Sequence, residues 1–276
     1  MKFAEKITAA SLDNNSLLCV GLDPDPNLLP GVGILEFNKA IIDATSDVVC
    51  AYKPNLAFYE AMGMEGWDAL KKTVEYIPRN IAVIGDGKRA DIGNTTAAYA
   101  RGLFEFFGFD AVTVNPYMGF DSLEPFLKYA DRGIFILCRT SNKGSMDFQS
   151  LECKPVATGA GVDTGSSPLF EIVAEKARLW NRHGNIGLVV GATYPGELQR
   201  VRQLCPDMWL LIPGVGTQGG DMEITVKYGI DAGNSRAIIN SSRQVIYASK
   251  EDDFARAAGN MARKLRNNIN SFRPNF

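Results

Sequence analysis

Short apolar runs bounded by turn residues recur along the whole chain. They cover Leu17–Leu22, Val48–Lys53, Ile81–Asp86, Ala111–Asn115, Ile134–Arg139, Ile186–Gly191, Met208–Pro213 and Ala237–Asn240, eight in all. Runs this short and this apolar predict strands covered on both faces. Between most of them lie segments with an apolar period of about 3.6, which predicts helices. Thr95–Phe107 and Ser167–Arg182 are examples. Strand–helix alternation of this kind means parallel strands joined by crossovers. Eight such units in 276 residues predict an α/β fold, a single (β/α)8 barrel domain over residues 1–276 rather than an open doubly wound sheet. The stretch from Ser141 to Ser166 is long for a strand–helix connection, and loops of that length often serve as lids.

Polar residues fall where a barrel builds its active site, at the C-terminal ends of the strands. The first run ends at Asp23, the second at Lys53, the third at Asp86 and Lys88, and the fourth at Asn115. The fifth ends in Arg139-Thr140-Ser141, the seventh runs into Pro213-Gly214-Val215-Gly216-Thr217-Gln218-Gly219-Gly220, and the eighth into Ser241-Ser242-Arg243. An Asp and a Lys after one strand usually mean only a solvated loop. The same pattern at nearly every strand argues against that reading here.

Composition narrows the function. Hydrophobic residues make up 46% of the chain, enough for a large core, and the net charge is -2. No basic field points to nucleic acid or to an anionic membrane, so a bound phosphate has to be held by local groups. No apolar run reaches the roughly 18 residues of a membrane-spanning helix. The start Met1-Lys2-Phe3-Ala4-Glu5-Lys6 is charged too early for a secretory signal, which predicts a cytoplasmic protein. Cys19, Cys50, Cys138, Cys153 and Cys205 form no C-x-x-C pair and read as reduced, mostly buried thiols. The one histidine, His183, sits in Asn181-Arg182-His183-Gly184, a predicted helix end where it would serve as a cap. It excludes a multi-histidine metal site and disfavours a Ser-His-Asp centre or a histidine base.

The chemistry concentrates in Ile84–Thr95. Strand side chains alternate, so Asp86 and Lys88 share a face with Ala82 and Ile84, while Lys53 shares one with Val49 and Ala51. If those faces line the barrel, Lys53, Asp86, Lys88 and Asp91 form an array of two cations and two anions. Mutual pairing offsets part of their desolvation and fixes their directions. Flanking carboxylates would keep Lys88 protonated, a proton donor rather than a Schiff-base nucleophile. The glycine-rich loop after the seventh run, with Arg243 after the eighth, fits a phosphate site. A phosphorylated small molecule beside a rigid Lys/Asp array points to making or quenching a carbanion: decarboxylation, aldol-type cleavage or enolisation.

These residues carry a resemblance. Lys53-Pro54-Asn55 with Phe58-Tyr59-Glu60, then Asp86-Gly87-Lys88-Arg89-Ala90-Asp91-Ile92-Gly93-Asn94-Thr95, are the clearest signatures. Val112-Thr113-Val114-Asn115-Pro116-Tyr117-Met118-Gly119, Arg139-Thr140-Ser141-Asn142 and the segment Pro213–Gly220 also match. From about Gly21 to Tyr247 the chain resembles the orotidine 5'-phosphate decarboxylase family, in particular its longer bacterial-type subgroup. The resemblance implies conversion of orotidine 5'-monophosphate to UMP and CO2, the last step of de novo pyrimidine synthesis, without cofactor or metal. It implies that Lys88 protonates C6, that Asp86 lies beside the departing carboxylate and that Lys53 completes the network. Asp23 would contact the ribose hydroxyls, Ser141 the pyrimidine edge, and Gln218 and Arg243 the phosphate. It also implies a homodimer in which Asp91 and Thr95 reach into the partner's site. Two alternatives remain at this point: a Mg²⁺-dependent relative acting on sugar phosphates, which shares the Asp-x-Lys-x-x-Asp core, and a barrel that binds a phosphorylated ligand without turnover.

Overall fold

The structure, a computed structural model, describes residues 1–154, 165–215 and 219–274. Its strands are β1 (Leu18–Leu22), β2 (Ala51–Pro54), β3 (Ala82–Arg89), β4 (Ala111–Val114), β5 (Gly133–Arg139), β6 (Glu152–Cys153), β7 (Ser167–Pro168), β8 (Ile186–Val190), β9 (Trp209–Ile212) and β10 (Ala237–Ser241). Its α-helices are α1 (Phe3–Asp13), α2 (Ile34–Thr45), α3 (Leu56–Glu60), α4 (Gly63–Tyr76), α5 (Gly93–Arg101), α6 (Glu124–Leu127), α7 (Leu169–Trp180), α8 (Pro195–Leu204), α9 (Met222–Gly229), α10 (Arg243–Ile246) and α11 (Phe254–Ser271). Eight strands close into a parallel barrel in the order β1-β10-β9-β8-β5-β4-β3-β2, with β6 and β7 paired antiparallel outside it. The fold is the (β/α)8 barrel that the eight apolar runs predict.

Strand side chains alternate between two cores. One set, Cys19, Ala51, Ala82, Ile84, Ala111, Phe135, Val189, Trp209, Leu211 and Ile238, fills the barrel itself. The other set, including Val20, Tyr52, Val83, Val112, Ile136 and Leu210, packs under the surrounding helices. Burying each large side chain contributes roughly 1.5–3 kcal/mol. Helix α1 closes the bottom of the barrel: Phe3 and Ile7 join the interior set, and the Phe3 ring meets Phe135 edge-on at 5.6 Å. The strand pattern alone did not foresee this plug.

Boundaries shift where local chemistry intervenes. The predicted helix Thr95–Phe107 begins at Gly93 and passes into a π-helical turn at Gly102–Phe106. Helix α7 ends at Trp180 with Asn181 as its cap, so His183 lies beyond the cap, not on it; Gly184 at φ +66° then turns the chain. All five cysteines are free, and Cys153 alone among them is not buried. Residues 141–166 are not wholly irregular: Lys143–Asp147 form a 3₁₀ turn and Glu152–Cys153 a short strand, while 155–164 lie outside the described residues. Among the described residues no helix is long and apolar enough to cross a membrane.

Candidate active site

A cavity of about 480 Å³ opens at the C-terminal mouth of the barrel, lined by Lys53, Asp86, Lys88, Thr113, Thr140, Ser141 and Gln149 among others. That volume suits a small-molecule ligand. Lys53 and Asp86 leave adjacent strands on the inner face and are 5% and 7% exposed. Lys53 Nζ donates to Asp86 Oδ2 at 2.7 Å, and Lys88 Nζ donates to Asp86 Oδ1 at 2.6 Å. One carboxylate thus holds two amines. The two differ in access, the Lys53 side chain being 6% exposed and that of Lys88 46%.

The electrostatics follow from this geometry. Burial is the largest influence on Asp86 and works against its charge, but Lys53 and Lys88 together outweigh it and hold the carboxyl well below the usual carboxylate range. Burial likewise opposes the charge on Lys53, yet Asp86 and then Asp23 hold its amine above the usual lysine range. Lys53 and Asp86 are therefore locked in an ion pair, with Lys88 on the second carboxylate oxygen.

Alternation along β3 holds as far as Asp86 and then breaks. Register with β4 shifts between Gly85 and Arg89, and Lys88 adopts φ +47° in the left-handed region that side chains rarely enter. Thr113, 1% exposed on β4, supports both neighbours: its hydroxyl accepts the Lys88 backbone N–H at 3.0 Å and donates to Asp86 Oδ1 at 2.8 Å. Sequence reasoning gave Thr113 no role, because a threonine between two valines reads as ordinary strand. Its only signal was that it falls on the inner face of the fourth strand, two residues before the polar end at Asn115.

The other expected residues divide. Asp23 follows β1; its Oδ1 is buried and has no hydrogen-bond partner among the described residues. Gly21, two residues before it, lets Ser242 approach, since a Cβ there would lie 1.8 Å from Ser242 Oγ and 2.8 Å from its Cβ. Ser141 lines the cavity, and Gly191 on the neighbouring β8 side lets it approach, a Cβ at Gly191 falling 2.8 Å from the Ser141 nitrogen. Arg243 is the first residue of α10 and is exposed at the rim. Gln218 lies outside the described residues, as do Gly216 and Thr217 of the same loop; around them Gly214 and Gly219 have φ +95° and +87°, and Gly220 N–H bonds back to the Gly214 carbonyl. Asp91 does not join the cluster within one chain. Its Oδ1 accepts the Ile92 N–H at 2.8 Å, and it forms no ion pair among the described residues. Thr95 is exposed on α5.

Arg139 at the end of β5 is a second residue without an assigned part. It is fully buried, stacks on the Tyr194 ring at 3.9 Å, pairs with Glu197 and donates to Ser145. Gln149 accepts the Thr140 N–H at 2.8 Å and returns a hydrogen bond to its hydroxyl at 2.9 Å. The chain after β5 is thereby folded against the cavity wall that carries Ser141.

Fold and site together define a (β/α)8 barrel with a charged, enclosed C-terminal mouth, the arrangement used by barrel enzymes. Residues 16–258 match the model of the orotidine 5'-phosphate decarboxylase / HUMPS family, and the chain belongs to that family. An orotidine 5'-phosphate decarboxylase of Dehalococcoides mccartyi is 51% identical over 277 residues, covering 100% of both chains. Among solved structures, the OMP decarboxylase of Leishmania donovani superposes with a TM-score of 0.84 at 39% identity, covering 99% of each chain. The UMP synthase of the same organism gives a TM-score of 0.86 at 41% identity over 99% of this chain, which spans 57% of that longer one.

Proposed function

We propose that the chain converts orotidine 5'-monophosphate to UMP and CO2 without cofactor or metal. The observation that carries this reading is Lys88, an accessible amine held at 2.6 Å from a carboxylate whose other oxygen is tied to buried Lys53. The bond from C6 to the carboxylate carbon breaks, CO2 leaves, and its bonding pair stays at C6. Lys88 Nζ then delivers a proton to that carbon. Fixed charges in an enclosed mouth stabilise the developing carbanion without reorganising at the moment of reaction. Asp86 stands beside the leaving carboxylate and keeps Lys88 aimed, and Lys53 anchors Asp86.

The remaining contacts orient the nucleotide. The unpartnered Asp23 Oδ1 is an acceptor for ribose hydroxyls. Ser141 hydrogen-bonds the pyrimidine edge, while Gln218 and Arg243 hold the phosphate. Phosphate binding remote from C6 organises the site and so raises the rate of the chemical step. Asp91 and Thr95 belong to a partner's site in a homodimer. Support for this lies in the exposed apolar side chains on the same side of the barrel, with Ile92 at 55%, Tyr117 at 82% and Met118 at 44%. Exposed apolar side chains in the chain after β3 and β4 suit an association surface.

Ultraviolet absorbance of orotidine 5'-monophosphate with purified protein and excess EDTA tests the reading. Loss of substrate absorbance with UMP formed is the expected result. Turnover that stops in EDTA and returns with Mg²⁺ would place the chain with metal-dependent relatives instead.

A further inference from the structure

The shift of register between β3 and β4 raises a question of hydrogen bonding. Gly85 pairs with Val112, but the next paired residue on β3 is Arg89, opposite Val114, and the Asn115 N–H reaches the Arg89 carbonyl at 3.1 Å. The bulge lifts the Lys88 N–H out of the ladder. A backbone donor displaced in this way needs another acceptor, and the Thr113 hydroxyl is that acceptor. A hydroxyl has a single hydrogen. With Asp86 ionised, that hydrogen has to point at Oδ1, which leaves a lone pair for the Lys88 N–H. Both partners of Thr113 belong to the charged cluster. A threonine serving only the strand would not also donate to the buried carboxylate that holds both lysines, as Thr113 does to Asp86 Oδ1 at 2.8 Å.

Strained conformations persist only where their surroundings over-determine them, and they gather at functional sites. Lys88 at φ +47° is such a case. Its backbone conformation decides where the side chain starts, and hence where Nζ sits relative to Asp86.

We propose that Thr113 is a positioning residue for the reaction: its hydroxyl holds the Lys88 backbone in the left-handed conformation and orients the Asp86 carboxylate, so that the amine is aimed at the reacting carbon. The proposal rests on the reading of Lys88 as the proton donor. Thr113 touches no reacting atom and acts through these two residues.

Thr113→Val keeps the shape and removes both hydrogen bonds; Thr113→Ser keeps the hydroxyl, and Thr113→Ala serves if the valine variant does not fold. With orotidine 5'-monophosphate as substrate, kcat of the valine variant should fall roughly 10- to 100-fold, the cost of a misplaced reacting group. KM, and the affinity for UMP measured by calorimetry, should stay within about threefold, well below a tenfold change in binding. The serine variant should recover most of kcat. A merely structural threonine would instead lower thermal stability and leave the kcat of the folded fraction unchanged. A crystal structure of the valine variant is read independently of activity. Lys88 should leave the positive-φ region, with Nζ drawn away from Asp86. Lys88 found unmoved, wild-type kcat in the valine variant, or equal loss in valine and serine variants would each overturn the proposal. Wild-type protein that leaves orotidine 5'-monophosphate intact would remove the reading of Lys88 as acid, while the Lys88 geometry in the variant still decides what Thr113 does.

Discussion

The two ends of the barrel handle buried polar groups in opposite ways. At the floor, Arg202 is 9% exposed and spends its donors on the backbone: carbonyls of Gly229, Met208, Cys205, Pro206 and Arg236 lie 2.6–3.2 Å from its guanidinium. Burial draws its pKa down to about 10, still far enough above neutrality to keep the charge. At the mouth, charged side chains hold one another, and capacity is left over. Asp23 Oδ1, Asn240 Oδ1 and Arg139 Nη2 are buried without a hydrogen-bond partner among the described residues. An unsatisfied buried group costs about 1–3 kcal/mol, so native structures keep few without a reason. Arg202 uses its donors to join loops, whereas Asp23 at the mouth keeps an acceptor unspent. A buried charge by itself is therefore a poor marker of a site, and a buried charge with unmet capacity beside a cavity is a better one.

The sharpest way to break this contrast is Lys88→Ala. If the mouth is built for chemistry, removing the proton donor should lower kcat/KM by at least about 10⁴-fold, the upper range for a positioned acid. The side chain is 46% exposed, so the thermal midpoint should move little. Near-normal turnover of orotidine 5'-monophosphate by this variant would sink the assignment of Lys88. A large fall in stability with activity preserved would make the mouth a structural region like the floor.

Much of this division was legible before any coordinates. The eight strands could be read because a parallel strand covered on both faces must be apolar throughout, and that leaves a run in the sequence. Lys53 and Asp86 were legible because alternation from Ala51, Ala82 and Ile84 placed them inside, whereas Lys88 reaches the same cluster although alternation breaks before it. Asp91 marks the limit. Its spacing from Lys88 suggested one array, yet after Arg89 the chain turns away and the carboxylate bonds to the Ile92 N–H. Spacing gives direction only while the backbone stays regular. The left-handed Lys88 is invisible to such reasoning because its cause, a register shift against β4, is a long-range pairing. Arg202 was missed for a similar reason: its five carbonyl partners come from three separate stretches of backbone, and nothing in Val201-Arg202-Gln203 announces them.

The converse break is at the floor. Arg202→Met keeps much of the side-chain volume and removes every donor, taking from the Gly229, Pro206 and Met208 carbonyls the partner that Arg202 supplies. The expected loss is roughly 2–4 kcal/mol, or a thermal midpoint lower by about 5–10 °C for a chain of this size. Activity of the folded protein, assayed well below the midpoint, should match wild type. A selective loss of kcat without loss of stability would mean that the two ends are coupled and that the contrast is false.

Arg243 sharpens the comparison from a third direction, because it is neither buried nor paired with the central cluster. It stands exposed at the rim where β10 passes into α10. Arginine offers a forked donor that suits a phosphate, but an exposed charge is screened by water and contributes less than a buried one. Arg243→Ala should therefore raise KM for orotidine 5'-monophosphate and lower kcat/KM by roughly tenfold, about 1.4 kcal/mol, with no change in thermal midpoint. The defect should grow smaller as ionic strength rises, since added salt weakens the attraction that the wild type retains. Unchanged KM and kcat would place the phosphate elsewhere on the mouth. A loss comparable to that of Lys88→Ala would mean that remote phosphate binding supplies far more of the transition-state stabilisation than an exposed rim contact should.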